Sequence, residues 1–344
     1  MRRPNPVPRL VHWLWGSRHV GARVTRALLL PLAGVYGAII WFRRLAYLSG
    51  VFKPRVLPAR TVAVGNRSVG GAGKTPVAAW IAEFYARSGK IPGVLLRGYG
   101  DDETLVHQRL VPSAVVVPNA DRVAGAALAA ERGANVFVLD DALQTLSVAR
   151  DIDIVLVSAE AVRSVPWLLP AGPWREPLSA LERADCLVVT RKRVAVDEAR
   201  TLAQRLARRW PGIPVAIVHL AIDHLEGMVS GKKAKPGMLK GHRVLAVAGI
   251  ADPASFAVQI RSLGATVQLV AYQDHHRYTS TDVERLQRLA AGGGSADYVV
   301  VTEKDAVKLR HLWPATAREP LVAVLAVRWE HNGEAIAETL TRIL

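Results

Sequence analysis

From Pro58 onward the chain alternates short apolar runs with longer amphipathic stretches. The runs "TVAVGN", "GVLLRG", "AVVV", "VFVLDD", "IDIVLV", "CLVVTR", "VAIVHL", "RVLAVAGI", "TVQLVAY" and "YVVVTE" have the length of strands. Several are apolar at successive rather than alternate positions, the pattern of a parallel sheet covered by helices on both faces. Between them lie helical stretches such as "PVAAWIAEFYARSG", "ADRVAGAALAAERG" and "STDVERLQRLAAGGG", closed by glycine as helix C-termini commonly are. The alternation predicts an α/β fold with a doubly wound, mainly parallel sheet. The polar stretch from Asp223 to His242 interrupts the rhythm and marks a candidate domain junction.

Ahead of this pattern, "ALLLPLAGVYGAIIWF" (Ala27 to Phe42) carries no charge. Arg2, Arg3, Arg9, Arg18, Arg23 and Arg26 precede it, and Arg43, Arg44, Lys53, Arg55 and Arg60 follow it. The apolar run is shorter than the roughly 20 residues that cross a bilayer and lacks the cleavage site of a signal peptide. It predicts an amphipathic or shallowly inserted helix at the cytoplasmic leaflet, with Trp13, Trp15 and Trp41 as interfacial anchors. The alternative is a buried helix of the core, which has no need of basic clusters on both flanks.

The chain has 344 residues, half of them hydrophobic, enough for one large core or two moderate ones. Its single cysteine, Cys186, lies in an apolar run, which excludes an internal disulfide and reads as a buried thiol in a reducing compartment. The formal net charge of +16 calls for an anionic partner, and nucleic acid, lipid headgroups and phosphorylated substrates all satisfy it.

The stretch "SVGGAGKTP" (Ser68 to Pro76) follows a strand and opens a helix. Such a loop can turn backbone N–H groups toward phosphates, with Gly70, Gly71 and Gly73 supplying the turn, Lys74 the charge and Thr75 a hydroxyl for Mg²⁺. Ser68 stands where the usual pattern has its first glycine, and Ala72 completes the loop; the alternative is a glycine-rich turn with an incidental lysine. The strand "VFVLDD" ends in Asp140 and Asp141, paired acids that favour a metal at a strand's C-terminal end; the alternative, a helix N-cap at Asp141, is weakened by the lysine-threonine loop beside it.

Further blocks follow in order: "LLRGYGDDETLVH", "DDALQTLSVARDIDIVLV", "LLPAGPWREPLSAL", "AGIADPASF", "YQDHHRYTSTD" and "TEKDAVKL". With the loop and the basic-flanked helix, they resemble the tetraacyldisaccharide 4'-kinases, which phosphorylate the lipid A disaccharide precursor at the inner membrane. The resemblance runs from about Ala27 to the C-terminus. It implies a P-loop NTPase-like domain and a smaller α/β C-terminal domain, tied by a two-stranded ribbon, with the reaction in the cleft between them. The corresponding divisions are a basic, membrane-associated segment 1–57, a nucleotide-binding domain 58–222, a smaller domain 223–325 and a C-terminal helix 326–344 packing back on the first domain.

The resemblance further implies ATP and Mg²⁺ as cofactors and the 4'-hydroxyl of an acylated disaccharide 1-phosphate as acceptor. The site would lie on the cytoplasmic face of the inner membrane, with no nucleic-acid partner; a monomer is favoured, although the sequence does not set the oligomeric state. It places the general base on Asp102, its partner across the cleft on His275, and Gln144 beside the nucleotide. It puts Arg97 and Arg175 toward the substrate, and Glu176 with Thr75, Asp140 and Asp141 near the metal. On composition alone Asp102 is a turn aspartate and His275 a solvated loop histidine. A sugar hydroxyl is a poor nucleophile, and a carboxylate in hydrogen-bond reach would take its proton during transfer. The chain departs from the family pattern at Leu96, Ala142, Thr145 and Ser158 and in a short segment at Gly100, which leaves a retuned or non-catalytic homologue as an alternative. A membrane-attached GTPase is disfavoured because in Thr302-Glu303-Lys304-Asp305 the lysine falls one place late for a base-reading motif, and no RNA-module signature is present.

Overall fold

The computed structural model describes residues 7–98, 101–163, 165–292 and 295–344; Arg2, Arg3 and the short segment at Gly100 fall outside them. Two helices come first, α1 (Val7–Gly16) and α2 (Val20–Leu48). The first half continues through β1 (Arg60–Asn66), α3 (Lys74–Arg87), β2 (Pro92–Leu96), α4 (Asp101–Leu110), β3 (Val115–Pro118), α5 (Arg122–Glu131), β4 (Val136–Asp140), β5 (Ile152–Ser158), β6 (Cys186–Arg191) and α6 (Val196–Arg209). The second half holds β7 (Val215–Gly227), β8 (Lys233–Ala234), β9 (Arg243–Ala248), α7 (Pro253–Ser262), β10 (Thr266–Ala271), α8 (Ser280–Ala291), β11 (Tyr298–Thr302), α9 (Glu303–Leu309), β12 (Leu321–His331) and α10 (Gly333–Thr341).

Among the described residues the strands form one sheet in the order β10-β9-β11-β12-β7-β6-β5-β1-β4-β2-β3, with β8 paired to β7. All pairings are parallel except β7 with β12 and β7 with β8. All ten strands expected from the sequence are present. Every residue of β4 is buried, as is all of β1 after Arg60, because helices cover both faces. Helix starts follow local chemistry: Asp121 accepts from the Val123 and Ala124 N–H groups, and Thr279 forms a capping box with Asp282.

One expectation is corrected at the ribbon: residues 326–331, read as helix, belong to β12. Asp223 to Gly227, the start of the candidate junction, continue β7. Helix α10 begins only at Gly333. The two long strands pair antiparallel from Leu321↔Gly227 to His331↔Ile217. Pairing with a neighbour, rather than the local apolar pattern, settles this segment as strand: β12 has three successive buried residues and then a mostly half-exposed run. The N-terminal end of β7 joins β6 and that of β12 joins β11, so the ribbon carries the sheet from one half to the other.

The apolar core is correspondingly divided. Clusters around α3, α5 and α6 lie on the first half, including Tyr85, Phe137 and Leu187, and two more around α7, α8 and α9 lie on the second. Ile336 and Leu340 of α10 belong to the cluster around α3, and the Tyr85 hydroxyl donates to the Leu340 carbonyl at 3.0 Å. Cys186 is fully buried, and burial pushes its thiol up to about 12, which keeps it protonated and inert.

Helix α2 is longer than its uncharged run and is not a core helix: only Ala22, Arg26 and Ala33 are buried. Leu28, Leu32, Val35, Ile39 and Phe42 recur at helical spacing and are 56–74% exposed. Two of the expected membrane-facing groups turn inward instead. Arg26 donates to the carbonyls of Leu14 and Ser17, and the Trp15 indole donates to Pro170.

Candidate active site

The chain leaves β1 at Asn66 and enters α3 through the glycine loop. Gly70 and Gly73 take positive φ of 116° and 82°, the left-handed region that glycine occupies without a side-chain penalty. At Gly73 a β-carbon would also fall 2.1 Å from Leu220 Cδ1, so the residue is fixed by both conformation and space. Asn66 is buried and donates to the Ser68 carbonyl at 2.7 Å and accepts from Lys74 Nζ at 3.2 Å. It therefore ties the start of the loop to the lysine at its end. Thr190 donates to the Ala72 carbonyl and Lys192 Nζ to the Gly71 carbonyl, at 3.0 and 2.8 Å.

Strand β4 pairs with β1 so that Asp140 lies opposite Val64. Its carboxylate receives His107 Nε2 at 2.9 Å, both side chains being buried, while its Oδ1 is buried without a hydrogen-bond partner. Burial opposes ionisation of Asp140, but the hydrogen bond and charge of His107, with Lys74 and Lys304, hold it below the usual carboxylate range. Asp141 follows with φ of 52° and caps no helix; it faces Lys74 Nζ at 3.6 Å and Arg175 Nη1 at 3.1 Å.

Asp102 sits in the first turn of α4, with its carboxylate 3% exposed. His275, from the loop between β10 and α8, brings Nδ1 to 2.9 Å of it, and Lys308 on α9 lies at 3.4 Å. Burial alone would raise the Asp102 carboxyl, but the His275 hydrogen bond and charge, with Lys304 and Lys308, outweigh it and hold the group at about 2. The same hydrogen bond raises His275 against the opposing effect of its partial burial. The carboxylate and the imidazole thus each favour the charged form of the other. Next to it Glu103 accepts from Lys304 at 2.6 Å. The backbone at His275 has φ of 56°, an uncommon conformation for a side-chain-bearing residue and one that recurs at functional sites.

Two cavities meet here. One, of about 290 Å³, runs from the loop, Val69 to Pro76, across the ribbon to Ile250, Asp252, Phe256 and His275. The other, of about 850 Å³, lies between the end of α2 and the C-terminal ends of β2 and β4, and Arg43, Lys53, Arg55, Arg97, Arg122 and Arg175 line it. Glu103, Asp141 and Arg175 belong to both walls. Burial lowers the Arg122 guanidinium to about 10, the nearby Asp140 and Asp141 opposing the shift.

The expected residues fall into place unevenly. Gly70, Gly71, Ala72, Gly73, Lys74 and Thr75 line the first cavity, and Arg97 the second. Ser68 is buried and braces Asn66 through its carbonyl and hydroxyl. Gln144 donates to the Asn66 carbonyl at 3.0 Å and lines only the second cavity. Glu176 is buried beside Arg183 at 3.9 Å and does not join the other acids; among the described residues no three acid, histidine or cysteine side chains gather as a cage. Burial raises its carboxyl, with Arg183 opposing. Asn66, His107, Lys192, Lys304 and Lys308 were not read as site residues. The i, i+4 lysines of "TEKDAVKL" on one helix face were the one visible signal.

The fold and the loop define a P-loop protein of the mainly parallel α/β class. Residues 25–344 match the LpxK family, described as tetraacyldisaccharide-1-P 4'-kinase. Two relatives named tetraacyldisaccharide 4'-kinase, from Pelobacter propionicus and Azoarcus sp., are 34% identical over 336 residues and 35% over 320. The alignments cover 90% of both chains in the first case, and 87% of this chain and 88% of the relative in the second. The crystal structure of the "apo" form of LpxK from Aquifex aeolicus in complex with ATP superposes with a TM-score of 0.72 at 27% identity, over 93% of this chain and 99% of that one. The chain belongs to the tetraacyldisaccharide 4'-kinase family, a family of enzymes.

Proposed function

We propose that the protein transfers the γ-phosphoryl group of ATP to the 4'-hydroxyl of tetraacyldisaccharide 1-phosphate at the cytoplasmic face of the bacterial inner membrane. The observation that carries this reading is the common wall of the two cavities: Asp141 and Arg175 face both the phosphate loop and a basic cavity that opens beside α2. A donor in one and an acceptor in the other would meet at Glu103, Asp141 and Arg175; Asp102, which lines neither cavity, lies next to Glu103 on α4.

The loop amides and Lys74 bind the β- and γ-phosphates at the start of α3, where the helix dipole favours negative charge. The residues present suit Mg²⁺: Thr75, Asp140 with its unpartnered Oδ1, and Asp141 offer hard oxygen donors, and this ion takes few protein ligands and leaves the rest to phosphate and water. When bound, it would neutralise charge on the transferring group. Arg175 orients Asp141 and lies at the junction of the two substrates. Asp102 accepts the hydroxyl proton. Its low basicity suits a loose transition state in which that proton leaves late, and His275 with Lys308 fixes the direction of the carboxylate. The basic lining of the second cavity neutralises the acceptor's 1-phosphate. The exposed apolar face of α2 rests in the headgroup region, with basic groups near its ends drawn to anionic lipid.

Substituting Asp102→Ala tests the assignment. Transfer is expected to fall by about 10²- to 10⁴-fold while the dissociation constant for ATP stays within twofold, whereas Lys74→Ala weakens both. Equal transfer by the Asp102→Ala enzyme would remove the carboxylate from the mechanism.

A further inference from the structure

We propose that His107 is a positioning residue for phosphoryl transfer: it commits one oxygen of Asp140 to its imidazole and so presents the other to the metal and phosphates. The inference rests on the site reading above, in which Asp140 is a metal ligand. His107 is completely buried, its Nε2 lies 2.9 Å from Asp140 Oδ2, and Asp140 Oδ1 is left without a hydrogen-bond partner in the interior. A carboxylate with one oxygen held and the other free has a single direction in which to coordinate.

Among the described residues the His107 imidazole is the hydrogen-bond partner seen on that carboxylate. Arg122 donates to the Asp140 backbone carbonyl at 3.2 Å and to the Asn119 carbonyl at 2.9 Å. These bonds set the chain at the end of β4 through its backbone, whereas His107 holds the carboxylate itself. A buried polar pair of this kind adds little stability over apolar packing, so packing alone does not account for it. Outer partners of this sort orient ligating carboxylates and tune metal affinity.

Its place on the chain gives His107 a second consequence. Asp102 and His107 both belong to α4, five residues apart and therefore on different sides of the helix. One side carries the acceptor base and the other grips the metal side, so α4 sets the distance between the two reacting groups.

The test uses the full-length enzyme with a non-hydrolysable ATP analogue and Mn²⁺, following bound metal by electron paramagnetic resonance. The His107→Leu variant is expected to weaken Mn²⁺ in the ternary complex by about 10- to 100-fold, with metal-free nucleotide affinity unchanged. His107→Gln, whose amide can still donate, should recover most of the loss. Wild-type Mn²⁺ affinity in the Leu variant, or a Gln variant no better than Leu, would overturn the proposal. Should the Leu variant not fold, the wild-type protein decides: Mn²⁺ must broaden the ¹⁵N resonances of the buried imidazole, and unbroadened resonances contradict the role. The Asp140→Ala variant separates the two levels. If it binds Mn²⁺ normally the metal assignment itself fails; if it loses Mn²⁺ while His107→Leu does not, only the role of His107 falls.

Discussion

Burial of Glu303 at the start of α9 pushes its carboxyl up to about 7, against the opposing charge of Arg109 and the hydrogen bond from the Leu325 N–H. A carboxyl raised in the folded state binds its proton more tightly than in the unfolded chain, so stability falls as pH rises from about 4.3 to 7. The size of the shift makes that fall on the order of 3 kcal/mol. Glu303→Gln should therefore flatten the pH dependence of the denaturation midpoint in this window and be the more stable protein at pH 8; parallel curves for the two proteins would contradict the assignment. Residues of this kind were not legible in the sequence. The glycine loop was, because its chemistry is local: three glycines, a lysine and a threonine within a strand-to-helix turn. Asp102 and His275 lie 173 positions apart, and composition reads each as an ordinary polar residue; only the ordered family blocks pointed to them. His107 had no signal, since a lone histidine in "ETLVHQRL" looks like the polar face of a helix until the fold seats it against Asp140.

Helix α2 shows how far pattern reading reaches at the scale of an element. The uncharged run at its centre and its basic flanks were plain, and its exposed stripe follows from them, yet Arg43 and Arg44 near its end are bound to the protein, donating to Gln144 and Ser179. That end of the helix thus borders the second cavity, whose wall includes Arg43 and Tyr47. Removing residues 1–44 is expected to reduce sedimentation with anionic vesicles and activity on dispersed lipid by at least about tenfold, since roughly 1 kcal/mol per basic residue is lost with the apolar face, while ATP affinity is kept. Loss of ATP binding in the truncated protein would show that the helix supports the core. The ribbon was harder to read. The middles of β1 and β4 are continuously apolar and buried because both faces are covered, whereas β12 runs from covered sheet to a half-exposed ribbon and keeps neither a continuous nor an alternating pattern. Its strand character comes from pairing with β7, a non-local fact that a window of sequence does not contain.

The whole molecule places two α/β halves on one continuous sheet and joins them across the cleft by charge. Asp102 and Glu103 of α4, in the first half, meet His275, Lys304 and Lys308 of the second, and Arg109 at the other end of α4 meets Glu226 on the ribbon at 2.6 Å. The phosphate loop supplies one wall of the first cavity and Ile250 to Phe256 the opposite one, so a nucleotide there would touch both halves. Basic residues gather in two places in this arrangement, the lining of the second cavity and the flanks of α2. The sequence pattern showed the sheet, because apolar runs and turn residues are local. The meeting of the two cavities at Asp141 and Arg175 was not visible, because it depends on how the halves are set together. The most direct measurement is transfer of ³²P from γ-labelled ATP to tetraacyldisaccharide 1-phosphate in mixed micelles with Mg²⁺, with the labelled position fixed by mass spectrometry of the product. The account predicts one labelled phosphate on the 4'-oxygen, formed by the wild-type enzyme and lost in Lys74→Ala. A folded wild-type protein that binds ATP yet leaves the lipid unlabelled would contradict it.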